Sequence, residues 1–167
     1  MQRDTLKEDL QYIAYYYLPY EQLKGRSVLV TGATGLIGTL LVRALLAIGD
    51  IKVIALVRDS EKAKKIYGDL IGNSLKLHIA DIVDKIKIED AVDYIFHCAS
   101  ITASKMMIEK PVETLLISVE GTKNILNFAQ EKKCASVVYI SSMEVYGAFN
   151  ESKEVREENL GYIDHLN

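Results

Sequence analysis

The chain has 167 residues, 49% of them hydrophobic, and 20 basic against 23 acidic side chains leave a net charge of −3. That length bounds the fold to one domain with a real core, and two prolines without a low-complexity tract exclude an intrinsically disordered chain. The charge balance gives no reason to invoke nucleic acid or an anionic membrane, no apolar run is long enough to span a bilayer, and no signal-peptide pattern opens the chain.

Residues 1–24 are expected to form an N-terminal helical extension. Thr5 and Glu8 have capping-box spacing, Leu6, Leu10, Ile13, Ala14 and Tyr17 fall near helical spacing, and Pro19 should end the helix. The cluster Tyr12, Tyr15, Tyr16, Tyr17 and Tyr20 is expected to pack this helix onto the domain, the alternative being a sticky surface.

Residues 25–147 carry a regular βα rhythm. Val28-Leu29-Val30 reads as a buried strand, followed by Gly32, Gly35 and Gly38. A helical apolar pattern then runs from Leu36 through Leu40, Leu41, Ala44, Leu45 and Ile48, with Gly49 as the stop. Strand, glycine-rich turn and helix in that order are the context of a dinucleotide-binding loop. Gly32 can take the tight turn, Gly35 lets the backbone approach a pyrophosphate, and Gly38 lets the helix pack closely on the strand. The helix N-terminus offers free N–H groups, so Thr34, Leu36 and Ile37 join the three glycines as cofactor-binding candidates. A glycine-rich βα turn without a ligand is the plain alternative.

Further strands are expected at Ile51–Val57, Leu75–Ala80, Tyr94–Ala99 and Ser136–Ser141. A charged helix is expected from Glu61 to about Tyr67, and a long one from Pro111 to about Lys133. Residues 83–92 are ambiguous, and Ser100 to Lys110 is a loop or broken helix. The fold class is therefore α/β, a Rossmann-type doubly wound parallel sheet with helices on both faces. Residues 148–167 read as a polar surface segment, partly disordered. Cys98 and Cys134 are too few and too far apart for a metal site and read as reduced, buried cysteines of a cytoplasmic protein.

Four further places carry chemistry. The second strand ends in Arg58-Asp59, where an acid would bind a ribose hydroxyl and an arginine a 2′-phosphate. Val57 occupies the usual place of the acid, which favours NADP, while Asp59 keeps NAD open. Asp81, followed by Ile82, ends the third strand; its carboxylate can accept the adenine amino group or cap a helix. His97-Cys98-Ala99-Ser100 leaves the fourth strand at the same edge, with small residues beside the cofactor. His97 is read as a packed residue rather than a catalytic base. After the fifth strand, Ser142 can hydrogen-bond a substrate oxygen, and Glu144 is a nearby general acid or base.

Together these segments resemble the extended short-chain dehydrogenase/reductase superfamily, in its NAD-dependent epimerase/dehydratase group. Thr31-Gly32-Ala33-Thr34-Gly35-Leu36-Ile37-Gly38 looks like its TGxxGxxG loop, Asp81-Ile82 like its adenine-contacting acid, and His97-Cys98-Ala99-Ser100 like its HxAA segment. Pro111-Val112-Glu113 and Gly121-Thr122-Lys123-Asn124 look like marks of its fourth helix, and Ser141-Ser142 with Val145-Tyr146-Gly147 like its SSxxVYG turn. The resemblance runs from about residue 26 to 150.

It implies that Ser142 polarises the substrate oxygen. It also implies that Glu144 stands where 4,6-dehydratases and sugar-acid decarboxylases of nucleotide sugars carry a catalytic Glu. Such enzymes oxidise the sugar C4 hydroxyl, act on the ketone and return the hydride. Two departures stand out. Ser118 replaces a frequent Asn, and no Tyr-x-x-x-Lys pair follows Tyr146; the Tyr20–Lys24 match lies on the wrong side of the loop. The expectation is thus the cofactor half of a longer nucleotide-sugar enzyme, inactive alone, with a homodimer possible through the helix at 111–133. A non-catalytic NAD(P)-binding module and an extended-family carbonyl reductase are the alternatives.

Overall fold

The structure is a computed structural model and describes residues 4–16, 20–102, 104–148, 154–159 and 161–162. Five strands form one sheet: β1 (Ser27–Thr31), β2 (Lys52–Val57), β3 (Leu75–Ile79), β4 (Tyr94–His97) and β5 (Ser136–Tyr139). All pairings are parallel and the order is β3-β2-β1-β4-β5, the expected doubly wound sheet. Strand order reverses between β1 and β4, which places a crevice at their carboxyl ends.

The pleat sends alternate residues to two cores. Val28, Val30, Val53, Ala55, Val57 and Leu75 face α2 (Leu36–Ile48) and α3 (Ser60–Tyr67), where they meet Val42, Leu45, Ala63 and Tyr67. Leu29, Ile54, Leu56 and Ile95 face the other way, onto Ile125, Phe128 and Ala129 of α5 (Pro111–Lys132). Both sides of β1 and β2 are buried, which is why those strands lack polar alternation.

The ambiguous stretch 83–92 contains no helix. It is an irregular strap whose Ile86, Ile88 and Val92 enter the second core. With no ladder available, some of its carbonyls accept from side chains of α5: Lys132 Nζ donates to Glu89 O and Asp90 O at 3.2 and 3.1 Å. The stretch Ser100–Lys110 holds one short helix, α4 (Ser104–Glu109). Three of the expected strands end early, β3 at Ile79, β4 at His97 and β5 at Tyr139. The residues that follow them leave the ladder at the crevice edge.

The N-terminal helix α1 (Thr5–Tyr15) is present, but two expectations about it are corrected. Asp4, not Thr5, is the N-cap, its carboxylate accepting from Lys7 N–H at 3.3 Å. Three of the tyrosines do not dock it: Tyr12, Tyr15 and Tyr16 are exposed, Tyr20 beyond the helix is half-buried, and α1 meets α2 with Leu10, Ile13 and Ala14 half-buried. Small and aliphatic residues allow that close contact, which bulky phenols would hold apart. Tyr17 and Pro19 lie outside the described residues. In the polar C-terminal segment, Gly161 and Tyr162 return to Tyr146 and Ala148 through three backbone hydrogen bonds. Among the described residues no helix is long and apolar enough to cross a membrane.

Candidate cofactor crevice

The turn after β1 is fixed by backbone contact. Gly32 has φ +61°, and a Cβ there would lie 2.8 Å from the Cys98–Ala99 backbone. A Cβ on Gly38 would lie 2.3 Å from Gly32 O, so α2 sits directly on the turn. Both positions therefore require glycine for packing. Gly35 differs: it is exposed, and its Cβ would meet only Gly32 O at 3.2 Å. It is the N-cap of α2 and supplies no side-chain cap. Among the described residues the N–H groups of Leu36, Ile37 and Gly38 have no acceptor. A helix N-terminus left uncapped and open on this side suits a diphosphate.

The loop is clamped from behind. Ala33 is buried, and its carbonyl accepts from Thr39 Oγ1 at 3.0 Å and from the Tyr67 hydroxyl. Tyr67 is buried at the end of α3, and that burial pushes its phenol pKa up, so it stays a donor. Thr34 is half-buried at the tip, while Leu36 and Ile37 are exposed.

His97 organises the next wall. It is 2% exposed, and its Nδ1 lies 2.7 Å from Thr31 Oγ1. Thr31 Oγ1 also accepts from Ala99 N–H at 3.1 Å, which leaves its own proton available to Nδ1. The Thr122 hydroxyl donates to Ser118 O at 2.7 Å and so accepts from His97 Nε2–H at 3.3 Å. These bonds suit a neutral imidazole with both ring nitrogens partnered. Burial pushes its pKa down, in keeping with that state. His97 is thus packed, as its strand position implied, and ties β4 to β1 and α5. Cys98 and Ala99 are half-buried against Gly32, and Ser100 is exposed at the rim.

Beyond the carboxyl ends of β2 and β3, Arg58 Nη1 lies 3.7 Å from Asp81 Oδ2, so the structure pairs two residues that the sequence offered separately. Asp59 is occupied as the N-cap of α3, accepting from Lys62 N–H at 2.9 Å. Asp81 caps no helix; its other oxygen accepts from Val83 N–H at 3.3 Å within a turn closed by Asp84 N–H to Asp81 O. The Ile82 side chain is in the second core.

Ser142 and Glu144 follow β5 and open on the same sheet edge. Both are exposed, and Ser142 Oγ accepts from Glu144 N–H at 3.2 Å, capping a short 3-10 turn over Met143–Tyr146. The described residues build no wall over them. Cys98 and Cys134 are half-buried free thiols, both pushed up by burial, and no cluster of metal-ligating side chains is present among the described residues. A groove of about 640 Å³ lies elsewhere, between α1 and α2. Thr31, Thr122 and Asn124 stood in motifs without an assigned role, and Tyr67 only as the end of a helix; the structure shows what each one bonds. Their signal was a polar residue at each apolar-facing position.

Sequence and fold are similar to those of known proteins. The UDP-N-acetyl-alpha-D-glucosaminuronate decarboxylase of Bacillus cytotoxicus is 32% identical over 122 residues, which is 71% of this chain and 37% of that protein. UDP-glucose 4-epimerase 2 of Arabidopsis thaliana is 34% identical over 133 residues, covering 73% of this chain and 38% of its own length. Among solved structures, a UDP-glucose 4-epimerase from Stenotrophomonas maltophila, with bound NAD and a formylated UDP-arabinopyranose, superposes with TM-score 0.70 at 25% identity. That match covers 81% of this chain and 42% of that one. The chain therefore spans well under half the length of the relatives it matches. The family model for the NAD dependent epimerase/dehydratase family matches residues 28–164, further than the motifs alone reached, and the chain belongs to that family.

Proposed function

We propose that this chain is the cofactor-binding part of an NAD(P)-dependent enzyme acting on a nucleotide sugar, of the dehydratase- or decarboxylase-like kind that employs Glu144. One observation carries the reading: an uncapped helix N-terminus behind Gly32, Gly35 and Gly38 shares the carboxyl edge of the sheet with the Arg58–Asp81 pair. The names of the relatives, a UDP-sugar decarboxylase and UDP-glucose epimerases, support the substrate class. When bound, the nicotinamide cofactor supplies a hydride acceptor and donor.

The chain's own residues bind and orient. The N–H groups of Leu36, Ile37 and Gly38 take phosphate oxygens, Asp81 takes the adenine amino group, and Ser142 polarises the substrate oxygen. Glu144 gives or takes the nearby proton. Residues 1–167 carry no Tyr-x-x-x-Lys pair after Tyr146, so they bind dinucleotide but turn over no sugar nucleotide. Measured turnover by these residues alone would contradict this. In a protein that contains this chain together with such a pair, Glu144→Gln is expected to cut the rate by roughly 10²–10⁴ with little change in cofactor affinity. An unaffected rate would favour a carbonyl reductase.

Arg58 favours NADP. Its side chain is 70% exposed and shares only a long ion pair with Asp81, whereas the Asp59 carboxylate is already used as a cap. Thermal unfolding with each cofactor at equal concentration is expected to show the larger shift for NADP, and Arg58→Met should erase the difference. Equal shifts in the wild type would sink this preference; solved relatives contain NAD.

A homodimer is proposed through α5, where exposed Val112, Leu115, Leu116 and Val119 form one helical stripe.

A further inference from the structure

The turn that carries Asp81 has no ladder to hold it. The last ladder-like bond on this strand is Ala80 N–H to Val57 O, and residues 81–93 have no regular secondary structure. A carboxylate meant to meet adenine at a fixed place therefore needs another support. The structure provides it from α5, across the chain.

Asn124 is half-buried on α5, next to buried Ile125. Its Nδ2 lies 3.0 Å from Ile82 O, 2.8 Å from Val83 O and 3.5 Å from Asp84 O. An amide has two protons for these three acceptors, so the group sits over the convergence of the turn's carbonyls. Gly121, one turn earlier, supplies the matching notch. A Cβ there would come within 2.6 Å of Ile82 Cδ1, and that isoleucine is 6% exposed. The turn is thus gripped on both sides of Ile82, by its carbonyl and by its side chain. Its opposite face presents Asp81, with one oxygen on Val83 N–H and the other toward Arg58.

We propose that Asn124 is the positioning residue of the adenine corner: it fixes the Asp81–Asp84 turn from behind, so that Asp81 and Arg58 stand ready for the dinucleotide. The proposal rests on the dinucleotide-binding reading given above. The same strap contains its own control. Lys132 grips it farther along, at Glu89 O and Asp90 O, remote from the Asp81 turn. Both side chains stabilise the strap; only Asn124 acts on the corner.

The test compares wild type, Asn124→Leu and Lys132→Met in the whole chain, titrated with NADPH and NADH by fluorescence, alongside thermal unfolding. Both variants should melt lower. Asn124→Leu should bind about tenfold more weakly, the scale of one or two lost hydrogen bonds, while Lys132→Met stays within about twofold of wild type. Asn124→Ser gives the same comparison if the leucine variant does not fold. Normal binding by the Asn124 variants overturns the proposal, and so does equal weakening by Lys132→Met, since that reports general loosening of the strap. A wild type that binds neither dinucleotide overturns the reading beneath it, and the proposal with it.

Discussion

Gly38→Ala is expected to lower stability by about 3 kcal/mol, roughly 6–12 °C in melting temperature for a domain of this size, and to abolish dinucleotide binding. The added methyl group would stand 2.3 Å from Gly32 O and 2.9 Å from Ala33 Cα. Those are backbone atoms, so no side chain can swing away. The carbonyl of Ala33 is already held by Thr39 and Tyr67, which prevents the turn from yielding. Either α2 lifts from β1 or the turn opens, and each outcome removes the N–H groups from the crevice.

Gly35→Ala is the contrasting case. Gly35 has φ −83° and ψ 175°, which any residue adopts, and its Cβ would meet one atom at 3.2 Å. The fold should lose less than about 1 kcal/mol. The methyl group would nonetheless occupy the open side of the turn, so binding should weaken more than about tenfold. Melting curves with and without NADPH separate the two effects. If Gly35→Ala bound like wild type, the loop would not be a phosphate cradle.

His97→Leu is expected to cost about 2–4 kcal/mol at neutral pH, because the Thr31 and Thr122 hydroxyls lose their ring partners in a nearly dry site. The histidine should also shape the response to acid. Burial depresses its folded-state pKa below the unfolded value of about 6.5. The unfolded chain therefore takes up the proton first. The contribution of neutral His97 is complete above about pH 6.5 and is lost as the pH falls through the window between the two values. Protonation would put a hydrogen on Nδ1, which now accepts from Thr31, and would leave the Thr31 hydroxyl proton without that acceptor. His78, half-buried on β3, is depressed in the same direction and adds to the slope. The wild type should lose stability on going from pH 7.5 to 5.5, and His97→Leu should lose less over that range. Parallel pH profiles would show that His97 is not a source of the dependence.

Much of the fold was legible because the strand interiors had no choice. Residues 28–30 and 53–57 are buried on both faces, so their apolar runs could belong only to a covered parallel sheet. The helices announced themselves through Gly49, Pro111 and a 3.6-residue period. The strap at 82–92 was not legible. Ile82, Ile86, Ile88 and Val92 follow neither period, and their place was decided by the notch at Gly121 and the donors of Asn124 and Lys132. The tyrosines of α1 misled for a related reason. An aromatic cluster signals contact only if something covers it, and α2 meets the aliphatic side of that helix.

The residue types at the crevice were likewise determined locally: three glycines at fixed spacing, an arginine ending β2, an acid ending β3, and a serine and a glutamate after β5. Their relations were decided only by the tertiary structure. Spacing cannot say that Arg58 reaches Asp81, because that contact depends on β2 and β3 lying side by side and ending in register. Nor can it say that Asp59 is spent as a cap, that both ring nitrogens of His97 are partnered, or that Asn124 holds a turn 40 residues away. A sequence fixes which groups can donate, accept or make room. Which of them meet depends on the long-range packing of the sheet, and the packing set the crevice.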